Sequence, residues 1–167
     1  MNKPDIEHVE KLILDAPIGH YIGKEGARIL AERACCERVL KDGEFLFHQG
    51  DLEHCLYIVA EGRLAVVKER GKGEKPRILH VLEKGDLVGE LSFIDDTPHI
   101  ASVMALGDAR VLSFKADDIR PLITEHPRVM FDFMRAVIKR VHHTLADIGR
   151  QQMALQDYIT HGGKGRF

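Results

Sequence analysis

The sequence predicts a mainly β fold with flanking helices: an antiparallel sandwich, roll or barrel of short strands, followed by a long C-terminal helix. Three observations carry this expectation. Between Gly43 and about Phe114, short apolar runs alternate with turn signals. No helix of crossover length separates those runs, which argues against a parallel α/β sheet. From Ala116 onward the apolar spacing becomes helical. A chain of 167 residues with 44% hydrophobic residues has room for one domain with a real core, so residues 1–167 are taken as a single unit.

Residues 1–42 show two helical faces, Ile6, Val9, Leu12 and Ile13, then Ala27, Leu30, Ala31 and Ala34. The stretch from about Ile6 to Leu40 is therefore predicted as two short helices, separated by Pro17–Gly26 with its three glycines. Residues 43–115 hold the strands. Glu44–His48 ends at Gln49-Gly50-Asp51, and Cys55–Ala60 joins Arg63–Lys68 through Glu61-Gly62 as a tight hairpin. The polar loop Arg70–Lys75 precedes a strand over Arg77–Leu82, and Lys84-Gly85-Asp86 turns the chain again. Ser102–Ala105 and Ala109–Phe114 flank Leu106-Gly107-Asp108.

Residues 116–160 return to helix. Asp117–Thr124 makes a short one with Pro121 near its first turn, and Pro127 opens a long one. Along it Met134, Val137, Val141, Thr144, Ile148, Gln151, Leu155 and Tyr158 follow a 3,4 alternation, a heptad seam. Gly149 weakens this helix by roughly 1 kcal/mol relative to Ala. An apolar stripe of that length needs a partner, so a parallel homodimer through Met134–Tyr158 is expected. The end of the chain, 161–167, is expected to be a flexible tail.

Lys+Arg 24 against Asp+Glu 26 gives a formal net charge of −2, which argues against nucleic acid as the main partner. Cys35, Cys36 and Cys55 make no disulfide framework, and adjacent cysteines without a fourth ligand are a poor iron–sulfur set. They read as reduced thiols. The N-terminus has acids where a signal peptide needs cations, and the longest apolar stretch, Cys55–Ala60, is far too short to cross a bilayer. A soluble, cytoplasmic protein with no membrane partner is expected. His48, His54, His80 and His99 lack a His-x-His spacing, His142 and His143 face different directions on one helix, and no nucleophile sits with a base. Neither a metal site nor catalysis is predicted.

One segment, Val88–Val103, concentrates the remaining chemistry. Gly89 permits a sharp turn into a short helix opening at Glu90-Leu91-Ser92, whose first N–H groups would lack partners and suit an anion. A carboxylate at Glu90 beside that anion makes sense as an acceptor for sugar hydroxyls. The segment resembles the phosphate-binding cassette of the cyclic-nucleotide-binding domain family: Gly-Glu-Leu-small, an apolar and turn stretch, Arg, two residues, then Thr or Ser. Phe45–Asp51 and Leu56–Gly62 are similar to that family as well, so the resemblance spans about Leu30 to Tyr158.

The resemblance implies an antiparallel β-roll, jelly-roll-like, with a cassette at 88–103. It implies that Glu90 and the Gly89 backbone hold the ribose 2′-hydroxyl, that Leu91 and Ala101 offer backbone N–H groups to the cyclic phosphate, and that Ser102 adds a hydroxyl. Ser92 takes the cassette's small position. His99 stands where the family has arginine; histidine lacks the guanidinium fork and is mostly charged only below a pKa of about 6.5. Ile100 holds the place where cyclic GMP-preferring relatives often carry a hydroxyl, so cyclic AMP is the expected ligand, with no other cofactor. Thr144 falls where the family's terminal helix carries a threonine facing adenine, and Leu145 replaces the serine after it. The function implied is a ligand-sensing regulatory module for signal transduction that moves its C-terminal helix. The chain stops at Phe167 without a helix-turn-helix, so output is expected through dimerisation or an unidentified protein partner. The alternative is a scaffold for protein interaction that keeps the fold without the ligand, with His99 as its main support.

Overall fold

A computed structural model describes residues 5–33 and 36–161. Ala34 and Cys35, and residues 162–167 of the tail predicted over 161–167, lie outside the described residues, while His161 is the last residue of a helix. Eight strands form two antiparallel four-stranded sheets. One has the order β1 (Cys36–Leu40), β8 (Ala109–Lys115), β3 (Cys55–Glu61), β6 (Leu87–Val88). The other has the order β2 (Phe45–Phe47), β7 (Ser102–Ala105), β4 (Leu64–Lys68), β5 (Arg77–Leu82). This is the antiparallel, jelly-roll-like arrangement expected, flanked by helices on both sides in sequence.

β3 reads as an unbroken apolar run because both of its faces are covered. Leu56, Ile58 and Ala60 join Leu112 and Phe114 of β8 in the core shared with the helices. Tyr57 and Val59 join Val111, Leu46, Leu64 and Val103 between the two sheets.

The N-terminal region departs from expectation at its end. Cys36–Leu40, assigned to helical spacing, is a strand that pairs with β8 from Cys36↔Ser113 to Leu40↔Ala109. Partners 69 to 77 residues away along the chain supply its hydrogen bonds, and local periodicity does not register them. The helical pair itself is α1 (Ile6–Asp15) and α2 (Gly19–Arg33). Asp5 caps α1 by accepting from the Glu7 amide at 3.1 Å. The glycine-bearing stretch is mostly helical, with a kink at Gly23, φ 69° and ψ 179°.

The short helix expected over Asp117–Thr124 is two single turns, α4 (Ala116–Ile119) and α5 (Leu122–Glu125). Pro121 divides them because it has no N–H to continue the first. Between β6 and β7 lies α3 (Glu90–Asp95), and the chain ends in α6 (Pro127–His161).

α6 corrects the predicted seam. Phe133, Ala136 and Val137 are buried against the helical core, and Met130, Met134 and Val141 pack on it. Val137 is therefore interior, while its neighbour Ile138 is 62% exposed. The outward apolar stripe runs through Phe131, Ile138, Leu145 and Ile159, with Gln152 at the remaining seventh position. Met134, Val141, Ile148 and Leu155 belong to both stripes; of the predicted seam Val137 is fully buried, while Leu155 and Tyr158 are exposed. Among the described residues, no helix is long and apolar enough to cross a membrane.

Candidate ligand-binding site

The turn between β6 and α3 forces glycine at position 89. Its φ of 85° and ψ of 17° are left-handed, and a Cβ there would stand 2.8 Å from the Cys55 carbonyl oxygen. The first helical hydrogen bond of α3 is Phe93 N–H to Gly89 O at 3.1 Å. The N–H groups of Glu90, Leu91 and Ser92 thus have no acceptor within the helix. Ser92 is buried and donates its hydroxyl to the Glu53 carbonyl at 2.7 Å, tying α3 to the start of β3. Phe93 meets Phe133 of α6 edge-on at 6.1 Å.

His99 closes the other side. Its N–H donates to Asp51 O at 2.9 Å and its carbonyl accepts from Gly50 N–H at 2.8 Å, a two-bond clasp that fixes the loop. The ring lies flat on Phe47, with centroids 3.5 Å apart and planes 10° apart. It is buried, and its Nε2 has no hydrogen-bond partner. Burial pushes the imidazole pKa below its usual value, against the opposing pull of Glu53 and Asp51. The ring is accordingly neutral near pH 7.

Between these walls lies a cavity of about 150 Å³. Gly89, Glu90, Leu91, Ser92, His99, Ile100 and Ala101 line it, joined by Phe47, Val66, Val88, Pro98 and Val103. Sequence reasoning named none of Phe47, Val88, Pro98, Val66 and Val103 as site residues. The signal for the last two was strand parity, since Val66 and Val103 are partners across β4 and β7. The carboxyl of Glu90 has its pKa raised by burial, with its own backbone N–H pulling the other way.

Two of the expected residues stand elsewhere. Ala101 and Val103 face the cavity, so Ser102 between them faces the opposite side of the strand. There its hydroxyl accepts from the Gln49 N–H at 2.8 Å and donates to Glu69. That bond, with His48 Nδ1 at 2.8 Å, holds the Glu69 carboxyl below the usual carboxylate range. Thr144 is not in the cavity wall either, and its hydroxyl donates back to the Arg140 carbonyl at 3.1 Å. The cavity wall contains no lysine or arginine. It presents open backbone N–H groups, one carboxyl and one imidazole, a set suited to a hydroxylated, weakly anionic ligand.

The family model for the Cyclic nucleotide-binding domain matches residues 37–126, which include the whole cavity wall. The chain belongs to this family. The domain is similar to the Cyclic AMP receptor protein of Thermus thermophilus, 32% identical over 104 residues, 62% of this chain and 48% of that protein. It is also 30% identical over 103 residues to Lysophospholipase NTE1 of Coccidioides immitis, 62% of this chain but 6% of that enzyme. Among solved structures, the N-terminal domain of a transcriptional regulator from Streptomyces coelicolor superposes with a TM-score of 0.66 at 28% identity, covering 82% of this chain and 94% of that one. The domain spans about half the length of the receptor protein and a small part of the lysophospholipase.

A second link joins the domain's cassette to α6. Arg140 pairs through Nη2 with the buried carboxylate of Asp86, whose other oxygen accepts from the Glu83 N–H at 2.9 Å. Asp86 directly precedes β6, which leads into Gly89. The cassette thus touches α6 at Phe133, and the turn before it is ion-paired to Arg140.

Proposed function

We propose that the domain is a ligand-sensing regulatory module that binds a cyclic nucleotide, cyclic AMP first, in the cavity between Gly89 and His99. Occupancy is passed to α6. The observation that carries the reading is Glu90, a carboxyl held against its own burial cost at the mouth of a turn whose Leu91 and Ser92 N–H groups are open. A sugar hydroxyl donates to that carboxylate, and the phosphate sits on the N–H groups of α3 and Ala101. Phe93 against Phe133 and Asp86 against Arg140 are the two levers on α6. A ligand moves the helix only so far as it binds one helix position better than the other. The half-buried thiols Cys36 and Cys55 suit the reducing cytoplasm.

The test is cyclic AMP titration of the wild-type chain and of Glu90→Gln. Losing the carboxylate weakens binding by about 10- to 100-fold, the worth of one charged hydrogen bond. The same substitution raises the melting temperature near neutral pH. The folded-state pKa of Glu90 is raised, so the ionised form costs stability above that pKa and costs nothing below the unfolded carboxylate value of about 4.3. The stabilisation by glutamine therefore vanishes in acid. Opposite signs in binding and stability support the reading; unchanged cyclic AMP affinity in the variant refutes the role of Glu90.

The scaffold reading draws on the missing cation at His99 and on Ser102 facing away. It is favoured if no cyclic nucleotide binds the wild type.

Dimerisation belongs to the same proposal, through the corrected stripe of α6. Leu145 is 63% exposed and lies outside the buried core, so Leu145→Asp leaves the monomer fold intact while placing an unpaired charge in the seam. Sedimentation is expected to show a dimer for wild type and a monomer for this variant. A wild-type monomer at micromolar concentration sinks the assembly.

A further inference from the structure

We infer that the cleft between α2 and α6 is a second binding site, built for a phosphoryl group. It is a cavity of about 190 Å³ walled by His20 and Tyr21 from α2 and by Lys139, Arg140 and His143 from α6, with Ile18 beneath. No acid lines it, in a chain whose formal net charge is −2. The cleft between α1 and α2 is different: Glu7, Glu10, Asp15 and Glu25 stand among its cations. The site shares no residue with the cavity at Gly89 and does not depend on what that cavity binds.

The wall also holds donors that the fold leaves unused. Lys139 has no hydrogen bond or ion pair among the described residues. The Tyr21 ring meets His20 edge-on at 5.5 Å and lies under Arg135 at 5.6 Å, yet its hydroxyl makes no hydrogen bond among the described residues. Arg140 commits Nη2 to Asp86, and its Nε is buried with no acceptor. His143 turns Nδ1 to Asp147 at 3.1 Å, which leaves its other ring nitrogen. Burial lowers the pKa of Arg140, a cost that a further anion would offset.

A planar carboxylate offers two oxygens and would leave donors on one helix unmet. A tetrahedral phosphoryl group offers three, enough to take an ammonium, a guanidinium N–H and a phenol or imidazole from both helices at once.

Calorimetric titration of the full chain with inorganic phosphate and with phenyl phosphate, at constant ionic strength near neutral pH, tests the site. Saturable binding is expected. Lys139→Ala and Arg140→Lys should each weaken it about tenfold, the second because lysine keeps a charge beside Asp86 but has no second N–H group to turn to the phosphoryl oxygens. Equal affinity for both probes assigns the site to free phosphate. Tighter binding of phenyl phosphate assigns it to a monoester whose ring rests on Tyr21. The proposal is overturned if neither probe saturates, or if Lys139→Ala binds as the wild type does; Lys139 is exposed, so that variant keeps the fold even if Arg140→Lys does not.

Discussion

Asp86→Ala is expected to cost about 3–5 kcal/mol of unfolding free energy, the penalty for leaving one member of a buried ion pair without its partner. The Asp86 and Arg140 side chains are 9% and 21% exposed, so solvent does not rescue the remaining charge. Arg140 already has an unsatisfied Nε, and the variant would leave the guanidinium without its carboxylate. The Glu83 N–H would lose its acceptor as well, which loosens the turn ahead of β6. Urea unfolding gives the number. The double variant Asp86→Ala, Arg140→Met should recover much of the loss, because no charge is then buried alone. A single-variant cost below about 1 kcal/mol would place the pair among solvent-screened surface contacts and remove it as a lever on α6.

His99→Arg is expected to tighten cyclic AMP binding by about 10- to 100-fold near neutral pH. Arginine keeps its charge there and grips phosphate through two N–H groups. The wild-type imidazole is neutral because burial lowers its pKa, with Phe47 covering one face. A guanidinium can stack on that same ring, so the substitution keeps the packing partner. The gain shrinks as pH falls below about 6.5, where the phosphate can hold a proton on the wild-type histidine and wild-type affinity rises. Titrations of both proteins at neutral and acidic pH measure this. If the arginine variant binds no cyclic nucleotide at either pH, the cavity has diverged beyond one residue and the scaffold reading replaces the sensor.

Most of the roll was legible in the sequence because its strands are bounded by local chemistry. Glu61-Gly62, Lys84-Gly85-Asp86 and Leu106-Gly107-Asp108 turn the chain where their glycines take positive φ, and no neighbour elsewhere is needed to see it. β1 was not legible, since nothing within Cys36–Leu40 distinguishes a strand until β8 is brought alongside. β6 has two residues and exists through its pairing with Tyr57 and Ile58. In the cassette, the positive φ of Gly89 and the charge of Glu90 are local properties readable from the sequence, and both residues line the cavity. Ser102 was misplaced by one step of strand parity, which motif spacing ignores. Thr144 was assigned by distance along a helix whose rotation is set by Phe133, Ala136 and Val137 docking on the core. Rotation of a docked helix is a tertiary property.

Met134 and Val141 lie half-buried on the border between the domain's own core and the outward stripe of α6. Sequence drift along this helix is therefore unevenly constrained. Ile138 and Leu145 are exposed and stand outside the domain's own core, so they can be exchanged for polar residues without loss of the fold. Val137 answers to the fold alone and stays apolar in every descendant. Met134 and Val141 pack on the core and also border the stripe, so a lineage that turns the stripe polar must still keep them apolar, and an aggregation-prone remnant stays on its surface.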